Sequence, residues 1–356
     1  MDVELMEVED PRWKEELAAQ RHDFYHLPDY LKLCATSASG RPVALYARSG
    51  EGRLLVPLIL RDIDGHGIPE CAGLRDAISP YGYPGPLVVL PPGPPEQGRE
   101  FLVQALAAGI GLLREQRIVS AFIRSHPLLG FDTAVFAKAG EVVHHGETVS
   151  IDTTLDEAGR WSQIRNDHRS GIKKALLSGQ VVEFDDQWRE LDAFVSIYNQ
   201  TMGRVSASAG YFFPREYYLQ LRDAIAGRLH LVINRIGGEV AAAALFTEVG
   251  GIVQYHLSGT AEQHRKAYPS KLILHHVAGW AHQRGRQCLH LGGGLGGETD
   301  SLFLFKAGFS ARRHPFHTLR VVTEPGIYAS LVDIAEQKRA PGSTISSSFF
   351  PRYRHP

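Results

Sequence analysis

The segment Phe305-Lys306-Ala307-Gly308-Phe309 sets one lysine among aromatic residues, a short way after the glycine run Leu291-Gly292-Gly293-Gly294-Leu295-Gly296-Gly297. A lysine beside such a run can neutralise a phosphate, or the oxyanion that develops when a carbonyl is attacked, as acyl transfer requires. The same spacing fits a lysine whose methylenes lie along apolar surface while its ammonium stays in water. Asp300 suits the N-cap, and Gly308 the terminator, of a two-turn helix carrying Lys306. The glycine run holds a formal G-x-G-x-x-G, yet too little chain follows for a βαβ unit and its ribose-binding acid. It reads better as a strand-to-helix turn whose glycines permit positive φ or close approach to another backbone.

Other chemistries find little support. The 17 histidines include His22 and His26, His144-His145 and His275-His276, but no H-E-x-x-H and no Cys/His cluster, so no metal is expected. There is no G-x-S-x-G for a serine hydrolase and no phosphate-binding lysine loop for direct use of ATP. Cys34, Cys71 and Cys288 match neither a disulfide framework nor a zinc ribbon. The acidic start, Met1 to Asp10, lacks a signal-peptide pattern, and apolar runs such as Val240 to Phe246 are far too short to cross a bilayer. No membrane insertion and a reducing cytoplasm are therefore expected.

With a formal net charge of −1, the 356-residue chain has no overall field for steering nucleic acid. Basic residues gather locally instead. Arg165, Arg169 and Lys173 recur every four residues between Arg160 and Ser178, joined by His168 and Lys174, with apolar residues on the other face and Gly179 as terminator. From Asp300 to Pro356 there are eight Lys/Arg, among them Arg312, Arg313, Arg352 and Arg354, against four Asp/Glu. These segments fit either solvated surface or a groove for the end of a nucleic acid.

The elements that must position these residues are α/β in kind. Pro42 to Ala47 and Arg53 to Leu60 predict a hairpin, followed by the loop Ser79-Pro80-Tyr81-Gly82-Tyr83-Pro84-Gly85-Pro86, the apolar run Leu87 to Leu90, a helix from Gln97 to Glu115, and a strand from Ile118 to Ile123. After predicted helices at Leu191 to Thr201 and Arg215 to Ile225, the order repeats. Leu229 to Arg235 and Val240 to Thr247 read as a hairpin, Gly251 to Ser258 as a further strand, Lys271 to Gln283 as a helix and Gln287 to Leu291 as a strand. Such a repeat predicts a duplicated domain with mixed sheets flanked by helices.

Arg165-Asn166-Asp167-His168-Arg169-Ser170-Gly171-Ile172-Lys173-Lys174-Ala175, Tyr198-Asn199-Gln200-Thr201-Met202-Gly203-Arg204, and the combination of the glycine run with Asp300-Ser301-Leu302 and Phe305 to Phe309 resemble the Fem aminoacyltransferases. The resemblance spans most of residues 20 to 320. It implies an α/β (α+β) fold of two tandem GNAT-like domains, the first at 1–150 plus 321–356 on the acceptor side, the second at 151–320 on the acyl-donor side. The implied activity moves an amino acid from aminoacyl-tRNA to an amine, with formation of an amide bond on a peptidoglycan precursor or natural-product intermediate. Aminoacyl-tRNA would be the co-substrate, and no cofactor or metal is implied.

Carried over residue by residue, Lys306 would be catalytic and would also touch the tRNA end with Phe305, Arg312 and Arg313. Arg204, Tyr81, Tyr83 and Tyr255 would bind the acceptor, and His256 would serve as general base. As the stabilising cation, Lys306 is expected to be a poor base unless strongly desolvated. The family's helical arm is absent, and at the first-domain helix, expected over Phe24 to Leu33, Cys34 stands where the family carries a lysine, with Lys32 nearby. Two further readings stay open: an N-acyltransferase using acetyl-CoA or another acyl-CoA, and a catalytically degenerate binding module. The segment Gly259 to Ser270, where an acyl-CoA enzyme cradles pyrophosphate, lacks repeated glycine and so favours tRNA.

Overall fold

The computed structural model describes residues 1–63, 73–339 and 349–355, so Cys71 lies outside the described residues. The chain forms two compact units, one of residues 1–145 and 316–356, the other of residues 146–315.

The first unit contains strands β1 (Asp2–Glu7), β2 (Arg41–Ser49), β3 (Gly52–Asp62), β4 (Arg75–Ile78), β5 (Leu87–Val89), β6 (Ile118–Arg124) and most of β13 (Arg313–Val322). Its helices are α1 (Pro11–Ala19), α2 (Pro28–Ala38), α3 (Pro95–Glu115), α4 (Thr133–Phe136) and α11 (Pro325–Gln337). Strand order is β1-β2-β3-β4-β6-β13, antiparallel throughout except for the parallel pair β4/β6. The long helix α3 buries Phe101, Leu102, Ala105, Leu106 and Leu113, which recur on one helical face, against Val43, Leu45, Leu54 and Val56 of the hairpin. Burying each large side chain contributes about 1.5–3 kcal/mol.

The second unit repeats this plan. Its strands are most of β7 (Glu141–Asp152), β8 (Val181–Phe184), β9 (Leu229–Ile236), β10 (Glu239–Val249), β11 (Ile252–Thr260) and β12 (Cys288–Gly292). Its helices are α5 (Glu157–Gln163), α6 (Asn166–Leu177), α7 (Leu191–Arg204), α8 (Arg215–Ile225), α9 (Pro269–Gln283) and α10 (Ser301–Ala307). The order is β8-β9-β10-β11-β12-β7, again antiparallel except for one pair, β11/β12. In both units the parallel pair brackets a crossover helix, α3 in the first and α9 in the second. Strand β10 is buried from Ala241 to Val249, which marks a central strand covered on both faces.

Several expectations need correction. Arg160 to Ser178 is two helices rather than one, because Ile164 and Arg165 are extended and the Arg165 N–H donates to the Gly308 carbonyl at 2.8 Å. Phe24 to Leu33 divides into a 3-10 turn (Phe24–His26) and α2, since Pro28 sets a helix start and keeps Leu27 extended. The run Leu87 to Leu90, for which no partner was expected, is strand β5. It pairs with the start of β3, and the parallel partner of β6 is β4, which was not expected. Strands β1, β7, β8 and β13 were also missed. Polar and histidine residues such as His144, His145, His314 and His317 interrupt the apolar alternation of β7 and β13.

Candidate active site

Asp300 caps α10 as expected, its Oδ1 accepting the Phe303 N–H at 2.8 Å and its Oδ2 the Leu295 N–H at 3.2 Å. That cap turns α10 so that Lys306 points inward. The lysine is 8% exposed, and its Nζ donates to the Gly293 carbonyl at 2.6 Å. The ammonium is thus buried, not in water. Burial pulls its pKa down to about 8, against the opposing influence of Asp300. Asp300→Ala is expected to lower stability by about 1 kcal/mol, the usual value of an N-cap, as checked by denaturant unfolding.

The glycine run is explained by backbone packing. Gly292, Gly296 and Gly297 have φ of 76°, 64° and 89°. A Cβ on Gly293 would lie 2.8 Å from the Glu147 carbonyl oxygen, and one on Gly294 only 2.0 Å from that of Glu298. Gly308 does not end α10 in a left-handed conformation, its φ being −69°. Its missing side chain instead makes room for His168, whose Nε2 would lie 2.5 Å from a Cβ there. The buried His168 ring donates from Nε2 to the Phe305 carbonyl at 2.9 Å and turns Nδ1 toward Asp167 at 3.0 Å, tying α6 to α10. Phe305 is partly buried and packs on this ring at 5.5 Å.

Tyr255 and His256 lie on β11 at the end of its parallel pairing with β12. The last pair is Gln254 with His290, and His256 and Gly292 are each two residues beyond it. His256 is mid-strand in β11, just past its last pair with β12, whereas Gly292 is the carboxyl-terminal residue of β12. A β-bulge accompanies the separation: Leu245 pairs with Leu257 and Phe246 with Tyr255, leaving His256 as the extra residue. Tyr255 stacks on Phe246 at 5.4 Å, and burial pushes its pKa up to about 12. Arg204, in the last turn of α7, lies near Thr260 at the carboxyl end of β11, four residues past His256. It contacts Thr201, whose Oγ1 accepts the Thr260 N–H at 3.2 Å, and forms an ion pair with Glu262 at 2.9 Å.

Arg312 and Arg313 are more committed than their sequence suggests. Arg312 pairs with Asp152 at 2.9 Å, while Arg313 lies over the Phe303 ring at 5.5 Å and donates to the Ser310 carbonyl at 2.8 Å. Arg204, Tyr255, His256, Phe305, Lys306, Arg312 and Arg313 all belong to the second unit.

Tyr81 and Tyr83 belong to the first unit. Tyr81 is 39% exposed, and Tyr83 meets Phe316 edge-on at 5.2 Å. Sequence reasoning missed the buried polar set that holds their loop. His126 accepts the Leu128 N–H on Nδ1, so its protonated Nε2 faces Asp23 Oδ2 at 3.0 Å. His26 donates from Nε2 to the Gly85 carbonyl at 3.1 Å, and burial holds it neutral, with a pKa lowered to about 3. The Tyr30 hydroxyl donates to the Tyr81 carbonyl at 2.9 Å. The aromatic-rich run Asp23-Phe24-Tyr25-His26 was the available signal, but its partners lie far away in sequence.

Among the described residues, no group of three or more His, Cys, Asp or Glu is placed to hold a metal ion, and no helix is long and apolar enough to cross a membrane. A cavity of about 520 Å³ beside Trp188, Arg222 and His230 borders the amino end of β9 and is lined by none of the expected residues.

Comparison with known proteins identifies the fold. Residues 162–299 match the family described as the acetyltransferase (GNAT) domain. The solved structure of FemX aligns over 93% of this chain and 99% of its own, with a TM-score of 0.66 and 13% identity. A C-terminal domain from Agrobacterium fabrum, described as that of a lysylphosphatidylglycerol synthetase, aligns over 91% of this chain and 93% of its own (TM-score 0.53, 15% identity). A protein of unknown function from Bacteroides thetaiotaomicron aligns over 90% of this chain and all of its own (TM-score 0.54, 8% identity). No curated protein sequence matches the chain. The chain therefore has the fold of FemX, and its residues 162–299 are similar to the GNAT domain.

Proposed function

We propose that this chain is an amide-forming acyltransferase that moves an amino acid from aminoacyl-tRNA to an amine-bearing acceptor. The observation that carries the reading is the buried Lys306 ammonium, hydrogen-bonded to the Gly293 carbonyl in the unit that contains the GNAT match. The acceptor nitrogen attacks the ester carbonyl, the carbonyl oxygen takes up negative charge, and the bond to the ribose oxygen breaks as the amide forms. Lys306 stabilises that oxyanion or an adjacent phosphate of the tRNA end. One proton leaves the attacking nitrogen and one reaches the ribose oxygen, and His256 is the residue assigned to this transfer. Phe305 and Arg313, packed on and around α10, serve the tRNA end, with Arg312 contributing from its pair with Asp152.

Arg204 and Tyr255 of the second unit are assigned to acceptor binding, and Tyr81 and Tyr83 are separate acceptor-binding candidates of the first unit. Arg204→Ala is expected to weaken a phosphate-bearing acceptor about tenfold, with little change in turnover, because a guanidinium gives charged, paired contacts to phosphate. Unchanged acceptor affinity in a titration would remove Arg204 from this role.

The acetyltransferase description of the matched family favours a second reading, in which acyl-CoA is the donor. The deciding experiment gives purified protein a pool of labelled aminoacyl-tRNAs and, separately, acetyl-CoA, each with a small-molecule extract. Protein-dependent transfer of label from one aminoacyl-tRNA supports the tRNA reading. Turnover of acetyl-CoA with inert aminoacyl-tRNAs overturns it, and inertness toward both donors points to a binding module.

A further inference from the structure

Helix α6 ends on an unusual surface. Its inner face buries His168, Gly171, Ile172 and Ala175. At about 100° per residue, Lys173, Leu177 and Lys174 fall on the opposite, outward face. Leu177 is 88% exposed, Leu176 53%, and Val181, at the start of β8, 54%. Lys173 and Lys174 are exposed on either side of Leu177. The hydrogen bond from Gln180 Nε2 to the Ala267 carbonyl, at 2.8 Å, brings the 3-10 turn at 262–267 against this segment, and with it exposed Lys266.

The neighbouring carboxylates are already engaged. Asp167, at the far end of α6, contacts Arg165, His168 and Lys271. Glu183 pairs with Arg235, and Glu262 with Arg204 and Arg265. The local field around the three apolar side chains is therefore positive. Apolar tips between lysines match the boundary of an anionic bilayer, where leucines enter the acyl region and lysines extend their charge to lipid phosphates. A nucleic-acid surface would use the lysines and gain nothing from two bare leucines.

We propose that Lys173, Lys174, Leu176, Leu177, Val181 and Lys266 form a peripheral docking patch for anionic phospholipid surfaces. The inference does not depend on acyl transfer, and its test contains no acyl donor. Flotation of the full chain with vesicles of phosphatidylcholine, with and without about one-third phosphatidylglycerol, should show binding only to the anionic vesicles and its decline with salt. Because a lysine near an anionic surface is worth about fivefold in partitioning, Lys173→Glu with Lys174→Glu should lower binding by at least about tenfold. Leu177→Ser should lower it about tenfold through lost apolar burial. Leu90→Ser, at an exposed leucine of the other unit, should leave it unchanged.

Absence of vesicle binding, equal binding to neutral vesicles, or loss with only one of the two α6 changes would overturn the proposal. Loss of tRNA binding in the lysine variant, with no vesicle binding by the parent chain, would assign the lysines to nucleic acid instead.

Discussion

Replacing Lys306 with alanine is expected to lower turnover about a hundred- to a thousandfold, the range seen when a donor to a developing oxyanion is removed, while acceptor affinity stays near that of the parent chain. The change should not unfold the protein, because it removes a buried charge whose desolvation disfavours the folded state. Unfolding curves of the two proteins provide that control. Steady-state kinetics with aminoacyl-tRNA and acceptor would separate the two effects, and an unchanged rate would exclude Lys306 from the mechanism.

The same residue gives a signed pH dependence. Burial lowers the Lys306 pKa to about 8, so its charge is present below that pH and lost above it. A cation acting on the carbonyl therefore predicts turnover that falls as pH rises through about 8, and this alkaline limb should be missing in Lys306→Ala. A limb that instead rises through about 8 and vanishes in the variant would make neutral Lys306 the general base.

Gly294→Ala and Gly296→Ala should behave very differently, although both add one methyl group to the same run. The new Cβ at position 294 would sit 2.0 Å from the Glu298 carbonyl oxygen and 2.5 Å from Asp300 Oδ1. The first of these is backbone, and the second caps α10, so relief requires the turn itself to move. A loss of about 3 kcal/mol is expected, toward the upper end for overpacking, together with lower turnover as Gly293 and Lys306 separate. At position 296 a Cβ meets nothing within 4 Å, and only the φ of 64° opposes it. That change should cost about 1–2 kcal/mol and leave turnover nearly intact. Thermal unfolding and rate assays on the pair would check both outcomes, and equal losses would contradict the packing explanation of the glycine run.

Much of the fold was legible locally. The apolar spacing of Phe101, Leu102, Ala105 and Leu106 marks α3, and the hairpins around Ser49-Gly50-Glu51-Gly52 and Gly237-Gly238 carry their own turn residues. Asp300 announces α10 because an N-cap bond spans only three residues. Strand β4 was not legible, since four residues offer too short a pattern. The break at Ile164-Arg165 also escaped notice, because the carbonyl that draws out the Arg165 N–H belongs to Gly308.

For the candidate site, sequence by itself determined the chemical types: a lysine among aromatics, a glycine-rich turn, a basic helix and a repeated α/β order. These depend on residue identity and on contacts within a few positions. Tertiary structure alone decided the state of each group. Lys306 is buried because a helix capped by Asp300 aims it at the Gly293 carbonyl. Gly308 is required by the His168 ring rather than by its own φ. His256 stands out from its strand because β10 and β11 slip by one residue there. Burial, desolvation and register arise from partners distant along the chain, and no local pattern encodes them.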